Sequence, residues 1–227
     1  MPAYGDFRYD NVDGRTIRIQ VSAGKGATVR ETSLRSTLSI VATDVRPMPG
    51  PVFLQNERVS LRSPEKSDVP FLREYAQHPQ IRETRSTHAP TDAEWAQRRV
   101  GGSMGRDGSS LGLLICVEDE PVGFVYLIRE QPNADLFRLG ELAYWVVPSE
   151  QGNGYATAAG RLVAAHAFDE LGLHRLEASV VDANDGSKRV LEKLGFEQEG
   201  VARRRWFTDG EWKDEIQYGL LAEEYRG

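Results

Sequence analysis

Gln151-Gly152-Asn153-Gly154-Tyr155-Ala156 reads Q-x-x-G-x-A and decides how the rest of the chain is placed. It follows an apolar run, Leu142-Ala143-Tyr144-Trp145-Val146-Val147-Pro148, and the linking pair Ser149-Glu150, and it opens an alanine-rich helical stretch. Strand, glycine-containing loop and helix in this order present backbone N–H groups at a helix start, where they can hold phosphate oxygens. Gly152 and Gly154 let the chain approach a ligand closely and take positive φ. A tight turn ending in an ordinary helix cap produces the same short pattern.

The next decisive stretch is Asn184-Asp185-Gly186-Ser187-Lys188-Arg189-Val190-Leu191-Glu192-Lys193-Leu194-Gly195-Phe196. It follows the alternating run Leu176–Val181. Val190, Leu191 and Leu194 supply a helical apolar face, and Gly195 stands where a left-handed C-terminal cap belongs. With Q-x-x-G-x-A, N-x-x-S and E-K-L-G-F at these distances, the chain resembles the GNAT superfamily of acyl-CoA-dependent N-acetyltransferases. Within it, the resemblance is to the RimJ/RimL-type, ribosomal-protein alanine N-acetyltransferase branch. Glu141-Leu-Ala-Tyr-Trp145 before the loop, and the Asp209-Gly210 turn followed by Asp214, belong to the same likeness. It covers Val52 to Tyr225, about three quarters of the chain. It implies an α/β fold, a mixed sheet with splayed central strands.

Composition agrees. A chain of 227 residues with 40% hydrophobic content can bury one good core. Apolar runs are too short to span a bilayer, and Arg, Asp and Gly interrupt every apolar stretch near the N-terminus where a signal peptide would need one. Cys116, the only cysteine, sits in Leu113-Leu114-Ile115-Cys116-Val117 and reads as a small buried hydrophobe. A cytoplasmic protein is the expectation. Four scattered histidines and one cysteine offer no metal cluster. A net charge of −6 argues against nucleic-acid binding.

Up to Pro47 there are seven basic against five acidic residues; beyond it there are 21 against 29. The first 47 residues hold one strand pattern, Thr16 to Val21, and a Ser/Thr-rich stretch. Either they are a short extension, flexible or a weakly docking strand pair, or Met48 is the true start. From residue 48 to 227 one domain is expected. Strands are read at Val52–Arg62, Leu111–Glu118, Pro121–Arg129, Arg138–Val147 and His174–Val181. Helices are read from Ser67 to Gln77, from Thr91 to Val100 with a T-x-x-E capping box, and from Tyr155 to Leu171. Gly101–Ser110 is read as a loop. A closing hairpin, Gly200–Thr208 and Glu211–Leu221, turns at Asp209-Gly210.

The resemblance implies that the pyrophosphate of acetyl-CoA lies on the amides of Gln151, Gly152, Asn153, Gly154, Tyr155 and Ala156. The pantetheine arm then pairs with the backbone near Val146 and Val147, in the manner of an added strand, and Asn184 contacts the arm. Asn184 is equally suited to capping its helix. Acyl transfer needs a neutral amine, a stabilised oxyanion and a protonated leaving thiolate. The likeness points to Glu141 as base and to the Val147 amide as oxyanion donor. Glu177 is the weaker alternative base, and an ion pair of Glu141 with Arg138 is the competing account. Many superfamily members carry a Tyr as general acid where this chain has Leu191, which leaves Ser187 or a water for that task. Resemblance favours a protein N-terminal α-amine as acceptor; a small-molecule amine is the alternative. A homodimer is compatible with the pattern. Trp206, Phe207 and Trp212 either line an acceptor cleft or pack in the core, and Arg203-Arg204-Arg205 is read as a solvated strand edge. A CoA-binding sensor without turnover is the non-enzymatic reading.

A chain beginning at Met48 is expected to fold and to bind acetyl-CoA with near-native affinity, because the preceding residues carry no part of the cofactor pattern. Melting curves of the two lengths, with and without acetyl-CoA, check this. A loss of several degrees on shortening means that the extension belongs to the domain.

Overall fold

The computed structural model describes residues 6–10, 16–20, 50–84, 90–104, 109–129, 134–208 and 210–226. The chain divides into two compact units, Met1–Val45 and Arg46–Gly227. In the first, β1 (Asp6–Asp10) pairs antiparallel with β2 (Thr16–Gln20) as a separate two-stranded sheet. The strand expected at Thr16 is thus present, with Asp6–Asp10 as its partner; Val21 lies outside the described residues.

The second unit runs β3 (Val52–Gln55), β4 (Ser60–Arg62), α1 (Val69–Ala76), α2 (Pro79–Arg82), α3 (Ala93–Gln97), β5 (Ser103–Met104), β6 (Ser110–Val117), β7 (Glu120–Ile128), α4 (Ala134–Phe137) and β8 (Leu139–Val146). It continues with α5 (Tyr155–Ala165), β9 (Arg175–Val181), α6 (Asp185–Leu194), β10 (Glu197–Thr208) and β11 (Glu211–Leu221). The sheet order is β10-β11-β9-β8-β7-β6-β4-β3, with β5 added to β6. Every pairing is antiparallel except β8 with β9. That parallel pair holds only from Leu139↔Arg175 to Glu141↔Glu177, after which the two strands separate. The expected mixed sheet with splayed central strands is what forms.

Side-chain alternation along the strands divides the core in two. On one face Leu113, Ile115, Leu127, Leu142, Leu176 and Val180 pack with Ala159 and Val163 of α5 and with Leu191 and Leu194 of α6. On the other, Leu114, Cys116, Phe124 and Trp145 pack with Leu72 of α1, Ile81 of α2 and Ala96 of α3. Cys116 is a buried free thiol, and burial pushes its pKa up to about 12, as suits a structural hydrophobe.

Several boundaries differ from expectation, each for a local reason. Val52–Arg62 is two strands, because Asn56 Oδ1 accepts from the amides of Arg58 (2.9 Å) and Val59 (3.0 Å) and folds the chain into an Asx turn. The segment read as a loop from Gly101 contains β5, recruited by β6. α2 and α4 are single turns too short for a periodic signal, α2 being opened by Pro79. The helix read from Tyr155 to Leu171 changes to π geometry over His166–Glu170. β10 begins at Glu197 rather than Gly200. Of the expected Asp209-Gly210 turn, Asp209 lies outside the described residues.

α5 and α6 meet at Gly160, where an added Cβ would stand 2.6 Å from Leu194 Cδ1. A Gly160→Val variant is therefore expected to lose about 1–3 kcal/mol through overpacking. In a Leu194→Ala background the same change should cost less, since contacting sites are not additive. Denaturant melts of the four proteins check this.

Candidate active site

The glycine loop occupies the exit of β8. Pro148–Glu150 forms one tight turn, Gly152 has φ +84°, and Gly154 at φ +80° is the N-cap of α5. No side chain accepts a hydrogen bond at that cap, so the first-turn amides of an 11-residue helix are presented outward with the positive end of its dipole. The sequence pattern for an anion-holding loop therefore has its geometric counterpart.

The loop is fastened from outside. Arg58 Nη2 donates to Asn153 O (2.7 Å), Asn56 Nδ2 to Ala158 O (3.2 Å) and Asn153 Nδ2 to Glu150 O (3.2 Å). Asn56 and Arg58 belong to the turn between β3 and β4, which the single-strand reading concealed. An Asn two residues before an Arg, inside an alternating run, was the available signal. Gln151 turns back and donates from Nε2 to Val146 O (3.1 Å).

Two clefts meet at the gap between β8 and β9. The first, about 530 Å³, is lined by Val146, Gln151, Gly152, Gly154, Tyr155 and Ala156 and by the start of α6, including Asn184 and Ser187. Asn153 and Val147 are not among its lining residues. The second, about 550 Å³, is lined by Glu141, Ser179, Arg205, Trp206, Phe207 and Glu215. Thr84, Tyr144, Asn184 and Ser187 line both clefts. The two spaces thus adjoin at the splay through shared lining residues, which suits a reaction between two bound molecules.

At this junction Asn184 Oδ1 accepts from the Ser187 amide (3.1 Å), the expected cap of α6. The cap uses only the carbonyl oxygen of the Asn184 side chain and leaves its position on both clefts intact. Tyr144 Oη lies 2.9 Å from Ser187 Oγ and donates to Ser187 O at 3.2 Å. Tyr144 was not singled out as chemical by the sequence, since its run reads simply as a buried strand. Leu191, at the position of the missing acid, is fully buried in the core.

The amide expected to serve the oxyanion is engaged elsewhere. The Val147 amide donates to Val122 O at 2.8 Å and so faces β7. Backbone groups of successive strand residues point to opposite edges, so Val146, whose carbonyl receives Gln151, turns its N–H to the open side.

Glu141 lies on the last paired rung, opposite Glu177. Burial raises its pKa above the ordinary carboxylate range, and the nearby charges of Glu177 and Glu215 push the same way. Tyr144, three residues on, packs against the α5–α6 core and lines the same cleft as Glu141. Arg138 does not pair with Glu141; its Nε donates to Gly172 O (2.7 Å). Glu177 is held by Arg175 Nε at 2.9 Å and does not line the second cleft. Glu215, 6% exposed, accepts from Trp206 Nε1 (2.6 Å) and pairs with Arg205 Nε (3.1 Å). The basic triplet is therefore more than a solvated edge. A bulge opens between Ala202 and Trp206, with Arg204 at φ +52° and its amide on Asp214 Oδ1 (2.8 Å). Trp206 and Phe207 line the cleft, whereas Trp212 is 60% exposed and meets Phe207 at a tilt, ring centroids 5.2 Å apart. Among the described residues no group of His, Cys, Asp and Glu gathers as for a metal, and no helix is long and apolar enough to cross a membrane.

Comparison with known proteins agrees with this geometry. Residues 58–197 match the family described as the acetyltransferase (GNAT) domain. The probable N-acetyltransferase YjcK of Bacillus subtilis is 40% identical over 110 residues, which span 48% of this chain and 60% of that relative. The match thus covers less than two thirds of the relative's length. RimJ of Mycobacterium smegmatis, solved with CoA-disulfide, superimposes with a TM-score of 0.60 at 28% identity, covering 79% of this chain and 90% of its own. A spermidine N-acetyltransferase of Vibrio cholerae, solved with CoA and spermine, shares the fold (TM-score 0.67, 21% identity, 75% and 99% covered). The matched stretch runs from the arginine that fastens the loop, through the loop and the splay, to the first residue of β10, and on that extent the chain belongs to the GNAT acetyltransferase family.

Proposed function

We propose that the unit from residue 48 onward transfers the acetyl group of acetyl-CoA to a primary amine, with a protein N-terminal α-amine as the first acceptor class. The observation that carries this is the junction itself: a cleft ending in an outward-facing helix start meets a second cleft holding a buried carboxylate. The RimJ structure solved with CoA-disulfide supports a CoA-bearing donor. The acidic cleft with Trp206 and Phe207 supports a cationic acceptor, and the spermidine enzyme's fold makes a polyamine the second reading.

In this proposal the amides from Gln151 to Ala156 hold the pyrophosphate, with Arg58 bracing the loop. Val146 pairs with the pantetheine arm and offers its N–H to the developing oxyanion; Asn184 fixes the arm. The Glu141 carboxylate takes a proton from the incoming ammonium group, and Ser187 serves the leaving sulfur. Positioning two reactants at one gap supplies a large part of the rate.

A thiol-release assay with acetyl-CoA against peptides with free N-termini, spermidine and amino acids tests the reading. Turnover with peptides supports the first acceptor class, and turnover with spermidine alone replaces it. CoA binding without turnover across the panel means a sensor.

Gly154→Val is expected to weaken acetyl-CoA binding at least tenfold, because a β-branched residue is strongly disfavoured at φ +80° and the helix start must move. Calorimetric titration checks it, with circular dichroism confirming the fold; wild-type affinity rejects the pyrophosphate assignment.

Glu141→Gln is expected to slow the chemical step by about 10²–10⁴-fold with little change in acetyl-CoA affinity. In the wild type the base must be ionised, so the rate should fall as pH drops through a folded pKa above the usual carboxylate range. A raised carboxyl pKa favours the folded state below the unfolded pKa, and that gain is lost as pH rises through the folded one. At neutral pH the Gln variant should therefore melt no lower than wild type. Rate–pH profiles and melting curves read both effects, and an unaltered rate returns Glu141 to an ordinary strand residue.

A further inference from the structure

We infer that Tyr144 is a further catalytic residue, forming with Ser187 a two-hydroxyl relay that delivers a proton to the departing sulfur. The inference rests on the acetyl-transfer reading of the two clefts. If one cleft holds the acyl donor and the other the amine, the thioester reacts where they join, and Tyr144 and Ser187 both line that junction. Their oxygens are 2.9 Å apart. The Ser187 backbone is fixed by Asn184 Oδ1, and its carbonyl accepts from Tyr144 Oη at 3.2 Å, so the phenol is held at two points. When Tyr144 donates to Ser187 Oγ instead of the carbonyl, the serine proton is free to turn into the cleft.

The relay also answers the absence of a donor at residue 191, where a buried leucine stands. Burial holds the Tyr144 pKa well above its ordinary value, so the phenol stays protonated throughout the working range. Around the junction the facing ionisable groups are Tyr218 on the α6 side and Glu141, Glu215 and Arg205 in the second cleft. Glu141 has by then taken the first amine proton. The amine nitrogen bonds to the carbonyl carbon, the carbon–sulfur bond breaks, and its electron pair stays on sulfur. One hydroxyl of the pair gives its proton to sulfur, and the pair regains a proton from the nitrogen of the collapsing adduct. Amide and free thiol are the products, and both hydroxyls are restored.

Tyr144→Phe, Ser187→Ala and the double variant, in the full chain, test this with acetyl-CoA and the best acceptor found. Each single change is expected to lower kcat about 10²-fold with KM for acetyl-CoA within about twofold, and the double variant to resemble either single one. A purely structural tyrosine would instead alter KM or the melting temperature, and its effect would multiply with that of Ser187→Ala. CoA alone provides a readout independent of turnover. Followed by thiolate absorbance, the thiol of bound CoA should titrate about one pH unit higher in Tyr144→Phe than in wild type, since a donor to the sulfur is lost. An unchanged kcat, multiplicative losses, or an unmoved thiol titration in a protein that turns over overturns the relay alone. Wild-type protein that binds no CoA overturns the underlying reading of the clefts.

Discussion

Glu141 opposite Glu177 is the last rung of the β8–β9 ladder, and the site depends on the ladder ending there. Like charges directly opposite each other disfavour strand pairing. Arg175 neutralises one of the two, which lets the rung form without extending it. Beyond it β8 remains committed to β7, up to Val147 N–H on Val122 O, while β9 remains committed to β11, up to Val181 opposite Glu215. Each strand follows its other neighbour, and the sheet opens between them. The opening frees a backbone edge in the middle of a core, and the two clefts adjoin there.

Two remote hairpins then build the rims of that opening. The Asx turn at Asn56 brings Arg58 and Asn56 onto the glycine loop and onto α5. At the other end of the sheet, the β10 bulge swings Arg205 and Trp206 onto Glu215. A buried carboxylate with both a cation and an indole N–H is satisfied, whereas one left alone would be costly. At Glu141, Arg138 turns away to Gly172 O, and burial raises the carboxyl pKa.

The electrostatics fit the proposed chemistry. Beyond residue 47 acidic residues outnumber basic ones by 29 to 21, which suits the cationic acceptor proposed above. A desolvated carboxylate holds its proton more tightly than one in water, and is for that reason a stronger base toward an ammonium group. At the far side of the opening, helix α5 presents its positive end where an anionic donor would lie.

The amino-acid order alone determined what is encoded locally. Glycine spacing before an alanine-rich helix, Asn184 three residues before Ser187, and Gly195 after Leu194 specify a loop, a cap and a stop. Each of those features depends on neighbours within a few residues. Apolar alternation likewise marked the central strands, and the family likeness carried the mixed sheet. Tertiary structure decided the rest, because strand pairing joins residues far apart in sequence and fixes which face each one uses. It turned Val147 toward β7 and gave Val146 the open edge. It set Tyr144 against Ser187, 43 residues away. It also brought Arg58 to Asn153 across 95 residues. Such contacts have no local signature, since the interactions that select them exist only once the sheet has formed.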